Sequence, residues 1–467
     1  MGRLGGGSGS EGAGSQDRGP ASLCFLPAPA VAQLAQAFAR LVVRDDEFLE
    51  GLKPLVVAQL QRFPPQSLAM VANAYARLGG YDHIAVSQLL NAHAKARVFD
   101  REFFLAAVRW MTPSRLSTYT PQSVSNSLHA IARFPALWDQ REDRMQVHAL
   151  FATCVTEALP RLGRFAVQNL VNMLQAFSEV GFYEPSLFAE ATHELVQRRA
   201  SWKTQDAANL ASALSRVEFF DASAFEAVAA LTAKRAADFR NDELATVLNA
   251  LAHHARRWQG GAGEEEQDEE ELMPAMAPAF AAAAARLTPE ALAQCSTFEV
   301  ALVLNAYAKV ALGDAAPVSS AVVELGARGS ADPPAPVVAS LALGAMGRLG
   351  LLPPPWLERA LLAHAPPAGL PSAHGWDAVR TVGALGALAK LDAASPASPL
   401  RPLVEPLLRR LSAMLSDTAT TSATGDGRAD RHWSARTVPM ALSAVASLAC
   451  GCGRPSCHLC ADGGGGG

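Results

Sequence analysis

A short phrase that returns at fixed spacing constrains this chain more than any other feature. It reads QNLVNMLQAFSEV from Gln168, DAANLASALSRVEFF from Asp206 and DELATVLNALAHHA from Asp242. Aligned on Ala176, Ala213 and Ala250, consecutive copies stand 37 residues apart. Self-similarity at a period of roughly 20–50 residues marks a stacked-repeat architecture, because one unit cannot bury its own apolar face and must lay it against the next. Each copy reads as two helices. Leu170, Met173, Leu174 and Phe177 recur at i, i+3, i+4 and i+7, one face of an α-helix, and Leu210, Leu214 and Val217 repeat the pattern. A turn follows at Gly181 or at Phe219-Phe220-Asp221, and a second amphipathic segment runs from Pro185 to about Arg199, or from Ala224 to about Arg235. The expected fold is all-α: an α-solenoid, or α-α superhelix, of helix-pair repeats of about 37 residues. Alanine at the anchor is expected to let neighbouring backbones approach closely.

Further copies extend the array in both directions. AQLAQAFARL and SLAMVANAYARLGG place anchors at Ala37 and Ala74, again 37 apart, but QLLNAHAKA places the next at Ala92, only 18 later, with Ala130 a further 38 on. Either residues 82–99 are a second helix that mimics the phrase, the reading favoured on sequence, or one repeat has lost its second helix. Ala130 and Ala176 are 46 apart, and the charged segment Asp139 to Arg144 is read as the insertion. The run Glu264-Glu265-Glu266-Gln267-Asp268-Glu269-Glu270-Glu271 separates Ala250 from the next anchor, Ala306, and reads as a solvated loop. Looser copies follow at Ala345, Ala387 and Ala444. The expected organisation is a disordered Gly/Ser-rich segment over 1–29, regular repeats over 30–258, an acidic exposed loop over 259–275, divergent repeats over 276–450 with a loop at 417–430, and a Cys/Gly-rich tail over 451–467.

Composition narrows the function. The net charge is −4, and without the acidic run it would be about +3, so the chain is not strongly basic. No uninterrupted apolar stretch is long enough to span a bilayer, so no membrane partner is expected. The first residues carry Arg3 and Arg18 but little amphipathic helix, and give no clear targeting peptide. Seven irregularly spaced cysteines do not form a disulfide framework. Cys450, Cys452, Cys457 and Cys460 could hold zinc, but they lie in Gly-rich chain with the paired C-x-x-C spacing present once; no metal and no cofactor is assigned. The chain carries no phosphate loop, nucleophile elbow or H-E-x-x-H motif, so no catalytic residue is assigned and an enzyme is not expected.

The candidate binding residues come from the repeat register. One step before the anchors stand Gln36, Asn73, His129, Gln175, Ser212, Asn249 and Asn305; four before stand Asn126, Asn172, Asn209 and Thr246; eight before stand Gln66, Gln122, Gln168 and Gln205. These positions share one helix face. Amides and hydroxyls offer the donors and acceptors that read base edges, so Asn73, His129, Gln175, Ser212, Asn249 and Asn305 are base-facing candidates. The same groups would equally serve as hydrogen bonds between helices. Twenty-two residues after the anchors stand Arg198, Arg235 and Arg409, with Arg199, Lys234 and Arg410 beside them. Arg198, Arg199, Lys234 and Arg235 are the phosphate-facing candidates; cations at helix C-termini also answer the macrodipole.

The phrases VANAYARLGG, LVLNAYAKV, ATVLNALAHHA and NLVNMLQAFSEVGF resemble the L-x-x-x-L-x-A-x-A-K phrase of organellar helical-repeat proteins: the octotricopeptide and heptatricopeptide repeat proteins, the FAST-kinase-like proteins and the solenoid subunit of the RNA-editing substrate-binding complex. The likeness covers about residues 31–258 and, weakly, 297–450. It implies an RNA-binding α-solenoid in a mitochondrion or plastid, acting in transcript processing, stabilisation, editing or ribosomal-RNA maturation. Single-stranded RNA is the implied partner, together with other ribonucleoprotein subunits; a protein-interaction scaffold is the alternative. The octotricopeptide form has tryptophan before the anchor, where this chain has Asn, Gln, His or Ser.

Overall fold

The computed structural model describes residues 27–41, 83–138, 140–260, 275–332, 334–363, 378–391, 404–409 and 411–412, with single helical positions at 47, 51, 67, 70, 71, 74 and 445. Among the described residues every regular element is an α-helix or a 3-10 turn. The chain divides into two compact units, Met1–Leu137 with Gln146–Glu157, and Trp138–Met145 with Ala158–Gly467.

The first unit holds α1 (Ala28–Leu41), α2 (His83–Ala96), α3 (Arg101–Trp110), α4 (Pro121–Ala132) and most of α5 (Arg141–Ala158). Helix α2 packs along α4. Ala92 and Ala130 are buried, and so are Phe103 and Phe104 of the intervening α3. This placement corrects the favoured reading of residues 82–99. Helix α2 neighbours α4 as one first helix neighbours the next, so residues 83–96 take the place of a first helix and not of a second. The charged segment read as the insertion falls at the start of α5: Arg141 to Arg144 form the first turn of this 18-residue helix, and Asp143 is 1% exposed.

The second unit holds successive helix pairs: α6 (Val167–Val180) with α7 (Pro185–Gln197), α8 (Thr204–Arg216) with α9 (Ala222–Arg235), α10 (Asn241–Gly260) with α11 (Ala277–Arg286), α12 (Thr297–Lys309) with α13 (Ala316–Ala331), and α14 (Pro336–Leu349) with α15 (Pro355–Ala363), followed by α16 (Ala378–Lys390). The first helices touch in chain order, α6 to α8, α8 to α10, α10 to α12, α12 to α14 and α14 to α16. Second helices α7, α9 and α11 also meet in order, as do α13 and α15. The acidic run, the segment 417–430, Ala444, the terminal segments and the cysteine tail lie outside the described residues.

Small side chains let the first helices pack this way. Ala74, Ala92, Ala130, Ala176, Ala213, Ala250, Ala306, Ala345 and Ala387 are all at most 5% exposed. Two residues on, the chain again places small residues: Ala94, Ala132, Ser178, Ser215, Ala252, Ala308 and Gly347. A Cβ on Gly347 would come within 3.1 Å of the Ala387 backbone in α16, a distance that leaves no room for a larger residue. Ala37 departs from the pattern. It is exposed in α1, where Ala35 is buried instead.

The register also fixes how first helices start and stop. Asp206, Glu243 and Glu299, each seven residues before an anchor, accept hydrogen bonds from the backbone N–H of Lys203 (2.9 Å), Arg240 (3.1 Å) and Ser296 (2.7 Å), satisfying donors that a helix start leaves open. At the other end, all five described residues with positive φ stand five after an anchor: Arg97 (54°), Gly181 (74°), Glu218 (56°), Ala311 (56°) and Gly350 (64°). The next N–H of each then reaches back, from Val98 to His93 O, Phe182 to Phe177 O, Phe219 to Leu214 O, Leu312 to Tyr307 O and Leu351 to Met346 O, all at 3.0 Å. This left-handed stop, repeated in both units, satisfies the last carbonyls and turns the chain into the second helix.

Only glycine adopts that backbone freely; other residues carry a penalty of about 1 kcal/mol or more. Ala311→Gly and Glu218→Gly are therefore expected to stabilise the protein by about 0.5–1 kcal/mol each, and Gly181→Ala to destabilise it by about 1 kcal/mol. Thermal unfolding of the three variants beside the parent chain checks the sign at each site.

Candidate nucleic-acid interface

Each first helix in a row is flanked by first helices and backed by second helices, which leaves one face open. In α6 the residues on that face are Gln168, exposed, and Asn172, Gln175 and Glu179, half-buried; in α8 they are Gln205 and Arg216, exposed, with Asn209 and Ser212, half-buried. In α4 of the first unit, Gln122 and Arg133 are exposed, with Asn126 and His129 half-buried. The stripe therefore comprises the positions eight, four and one before the anchor and three after it, a spacing that keeps four side chains on one face.

The base-facing candidates behave in two ways. Gln175 donates through Nε2 to Glu179 Oε1 at 3.0 Å, while its Oε1 is buried without a hydrogen-bond partner. The Nδ1 atom of His129 is buried in the same unpartnered state, and burial, with the Arg133 charge adding to it, holds the imidazole pKa below its ordinary value. Ser212 is half-buried on the stripe of α8. Asn249 and Asn305, by contrast, bond to each other across helices: Asn305 Nδ2 donates to Asn249 Oδ1 at 2.8 Å, and Lys309 Nζ donates to the same oxygen at 3.0 Å. Arg348 donates to Asn305 Oδ1 in turn, so α10, α12 and α14 are joined through their stripe residues. Asn73 lies outside the described residues.

The basic ladder 22 residues after the anchors divides. Arg198 donates to Phe165 O (2.6 Å) and Gly163 O (3.0 Å) and pairs with Glu194. Arg328, in the same register, donates to Cys295 O (2.7 Å), Ala293 O (3.0 Å) and Leu292 O (3.2 Å) and pairs with Glu324 at 2.6 Å. In both repeats the guanidinium, at the end of the second helix, clamps the chain just before its own first helix, at carbonyls that include the one eleven residues before the anchor. Arg235 pairs with Asp238 at 2.7 Å, and Arg199 and Lys234 are exposed. Eight helical residues from Val167 to Gln175 rise ~12 Å, so this ladder stands at the opposite end of the first helices from the polar positions before the anchor.

Sequence reasoning missed a closer set of cations, three residues after the anchors: Arg40, Lys95, Arg133, Arg216, Lys309 and Arg348. Glu179 and His253 occupy this position in α6 and α10. Each stands four residues after a polar or glycine position, one turn along the same face. The signal was available in A-x-A-K and A-x-A-R, as in AYAKV, AHAKA and AIARF.

Among the described residues no three His, Cys, Asp or Glu side chains form a group able to hold a metal ion, and no helix is long and apolar enough to cross a membrane. Cys450, Cys452, Cys457 and Cys460 lie outside the described residues. Comparison with the models of known protein families and with curated protein sequences finds no match.

Two consequences for stability follow from these contacts. Arg328→Ala removes a charge-assisted clamp on three carbonyls and is expected to cost about 1–3 kcal/mol, against less than about 0.5 kcal/mol for Lys234→Ala, both read from unfolding midpoints. His254 is 2% exposed, lies flat on Phe225 (4.3 Å, 4°) and has neither ring nitrogen hydrogen-bonded. Burial lowers its pKa, with Asp221 opposing in part. A lowered folded-state pKa means that the unfolded chain binds the proton first, so this contribution is complete above the ordinary histidine pKa and is lost as pH falls from there toward the lowered value. His254→Phe is expected to flatten the fall of the melting temperature between pH 7 and pH 5, measured by calorimetry.

Proposed function

We propose that this chain is a non-catalytic α-solenoid adaptor that binds single-stranded RNA along the open stripe of its first helices, in the organellar RNA metabolism implied by its resemblance to helical-repeat proteins. The observation that carries this reading is the pairing, in α2, α4, α8 and α12, of a polar side chain just before the anchor with a cation one turn later on the same face. A strand needs both chemistries: cations for phosphate, and donor–acceptor groups or hydrogen-bonding rings for base edges. The neighbouring helices α2 and α4 repeat that pair at about 8–10 Å, the ordinary separation of packed helices. The weak overall charge is compatible with this, because seven of the acidic residues are gathered in the single run Glu264 to Glu271. Phosphate contact falls to the exposed cations three residues after the anchors, Lys95, Arg133 and Arg216, since Arg198 is committed to Phe165, Gly163 and Glu194, and Lys309 and Arg348 are bonded to Asn249 and Asn305.

A protein-interaction scaffold is the second reading, and one observation favours it. On α12 and α14 the stripe turns apolar, with Phe298 43% exposed and Leu302, Val337 and Leu341 half-buried. A peptide from another ribonucleoprotein subunit would find an apolar face there.

The test is a salt series with single-stranded RNA. Each phosphate contact contributes about −0.7 to the slope of log affinity against log salt. Replacing Lys95, Arg133 and Arg216 together with Gln is expected to weaken binding and make the slope shallower by about 2. Replacing Arg199, Lys234 and Arg235 with Gln is expected to leave it nearly unchanged. A folded protein that binds no RNA at low salt contradicts the proposal and directs attention to the scaffold.

A further inference from the structure

Eight before the Ala250 anchor the stripe holds Asp242, paired with Arg240 at 2.9 Å; three after the anchors it carries one residue of the wrong sign for a phosphate track. At the position three after the anchor, helices α8, α12 and α14 present Arg216, Lys309 and Arg348, and α10 presents His253; α6 presents Glu179. A carboxylate there repels a phosphodiester strand, and nothing in helix geometry requires it, because arginine and lysine occupy the same register in neighbouring helices. What it offers is hydrogen-bond acceptance.

The side chain beside it is arranged to the same end. Gln175, one turn earlier on the stripe, donates its amide N–H to Glu179 at 3.0 Å. This bond fixes the amide's orientation: the nitrogen faces the carboxylate, because two oxygens would repel. The Gln175 carbonyl oxygen is therefore turned inward, where it is buried and accepts no hydrogen bond. An unmet buried acceptor is unfavourable, so the amide is held by the carboxylate and not by satisfaction of its own oxygen. The outcome is a local cluster of acceptors, the Glu179 carboxylate with the Gln175 carbonyl behind it, in an otherwise donor-rich row.

We propose that Glu179, positioned by Gln175, is a base-reading position that accepts hydrogen bonds from the exocyclic amino group of adenine, cytosine or guanine and discriminates against uracil. The inference rests on the RNA-binding reading above. Bases of a single strand can present their Watson–Crick edges, and a carboxylate accepts well from an amino group such as cytosine N4. Uracil has no amino group, and its one donor on that edge, N3–H, is flanked by two carbonyl oxygens that would crowd the carboxylate oxygen to oxygen. Asn172, the next stripe residue toward the start of α6, carries both donor and acceptor and suits any base, so the discrimination comes from Glu179.

The experiment selects a randomised single-stranded RNA pool on the full chain and sequences the bound fraction, for the parent protein, Glu179→Arg and Gln175→Ala. All three are first confirmed folded by their melting temperatures; both substituted residues are half-exposed. In the parent, one register of the bound sequences is expected to be depleted of uracil by about tenfold, within the range of a good base contact. Glu179→Arg is expected to abolish the depletion and steepen the salt slope by about 0.7, one added phosphate contact. Gln175→Ala keeps the carboxylate but removes the amide that donates to it, and is expected to weaken the depletion without steepening the slope. A purely structural Glu179 would change stability and leave base preference untouched. RNA binding without uracil depletion in the parent, or depletion that survives in Glu179→Arg, overturns this inference alone. Absence of any RNA binding by the parent overturns the RNA-binding reading and this inference with it.

Discussion

The structure depends on how closely the first helices approach one another. Alanine at the anchor, and a second small residue two positions on, bring adjacent backbones near enough that a Cβ on Gly347 would sit 3.1 Å from Ala387. Larger residues at these positions would push the helices apart and open voids along the row, since interiors are packed to crystal-like density. Close approach also sets the separation between neighbouring stripes. The same constraint that holds the core together thus decides the spacing at which polar and basic side chains are displayed.

Once the helices are that close, each repeat has to begin and end its first helix at a fixed point, or the small residues fall out of register. Acceptors at Asp206, Glu243 and Glu299 set the starts. Left-handed residues at Arg97, Gly181, Glu218, Ala311 and Gly350 set the stops. Arg198 and Arg328 tie the far end of the second helix back to the approach of the first. These devices explain why several conspicuous residues of the repeat belong to the fold. An arginine that recurs once per repeat has the spacing of a phosphate ladder, yet where its guanidinium is surrounded by backbone carbonyls it serves as a clamp.

The all-helical character of the described residues was legible in the sequence. Apolar periodicity placed α6 to α10, and the anchor alanines are buried in them. The reading failed where the cause is not local. Helix α2 carries the same phrase as a second-helix mimic would, and only its contact with α4 identifies its place. Ala37 fits the motif but lies on the exposed side of α1. The charge of the segment that opens α5 points to solvent, whereas Asp143 is buried in the first turn of that helix. In the candidate site, the polar positions before the anchors were legible from spacing. The division of labour among cations was not, since sequence reports that Arg198 and Arg216 recur but not which one meets a carbonyl. Asn249 and Asn305 show the same limit: their amides are spent on each other across 56 residues of chain.

The account's central claim is that the open stripe of the first helices, and not the second-helix surface, is where RNA lies. Ultraviolet cross-linking of bound single-stranded RNA, followed by mass spectrometry of the attached peptides, tests it most directly. The account predicts cross-links in peptides that carry the stripe of α4, α6, α8 and α10, such as those containing His129, Gln175 or His253. Cross-links confined to α7, α9 and α13, around residues such as Lys234, would contradict it.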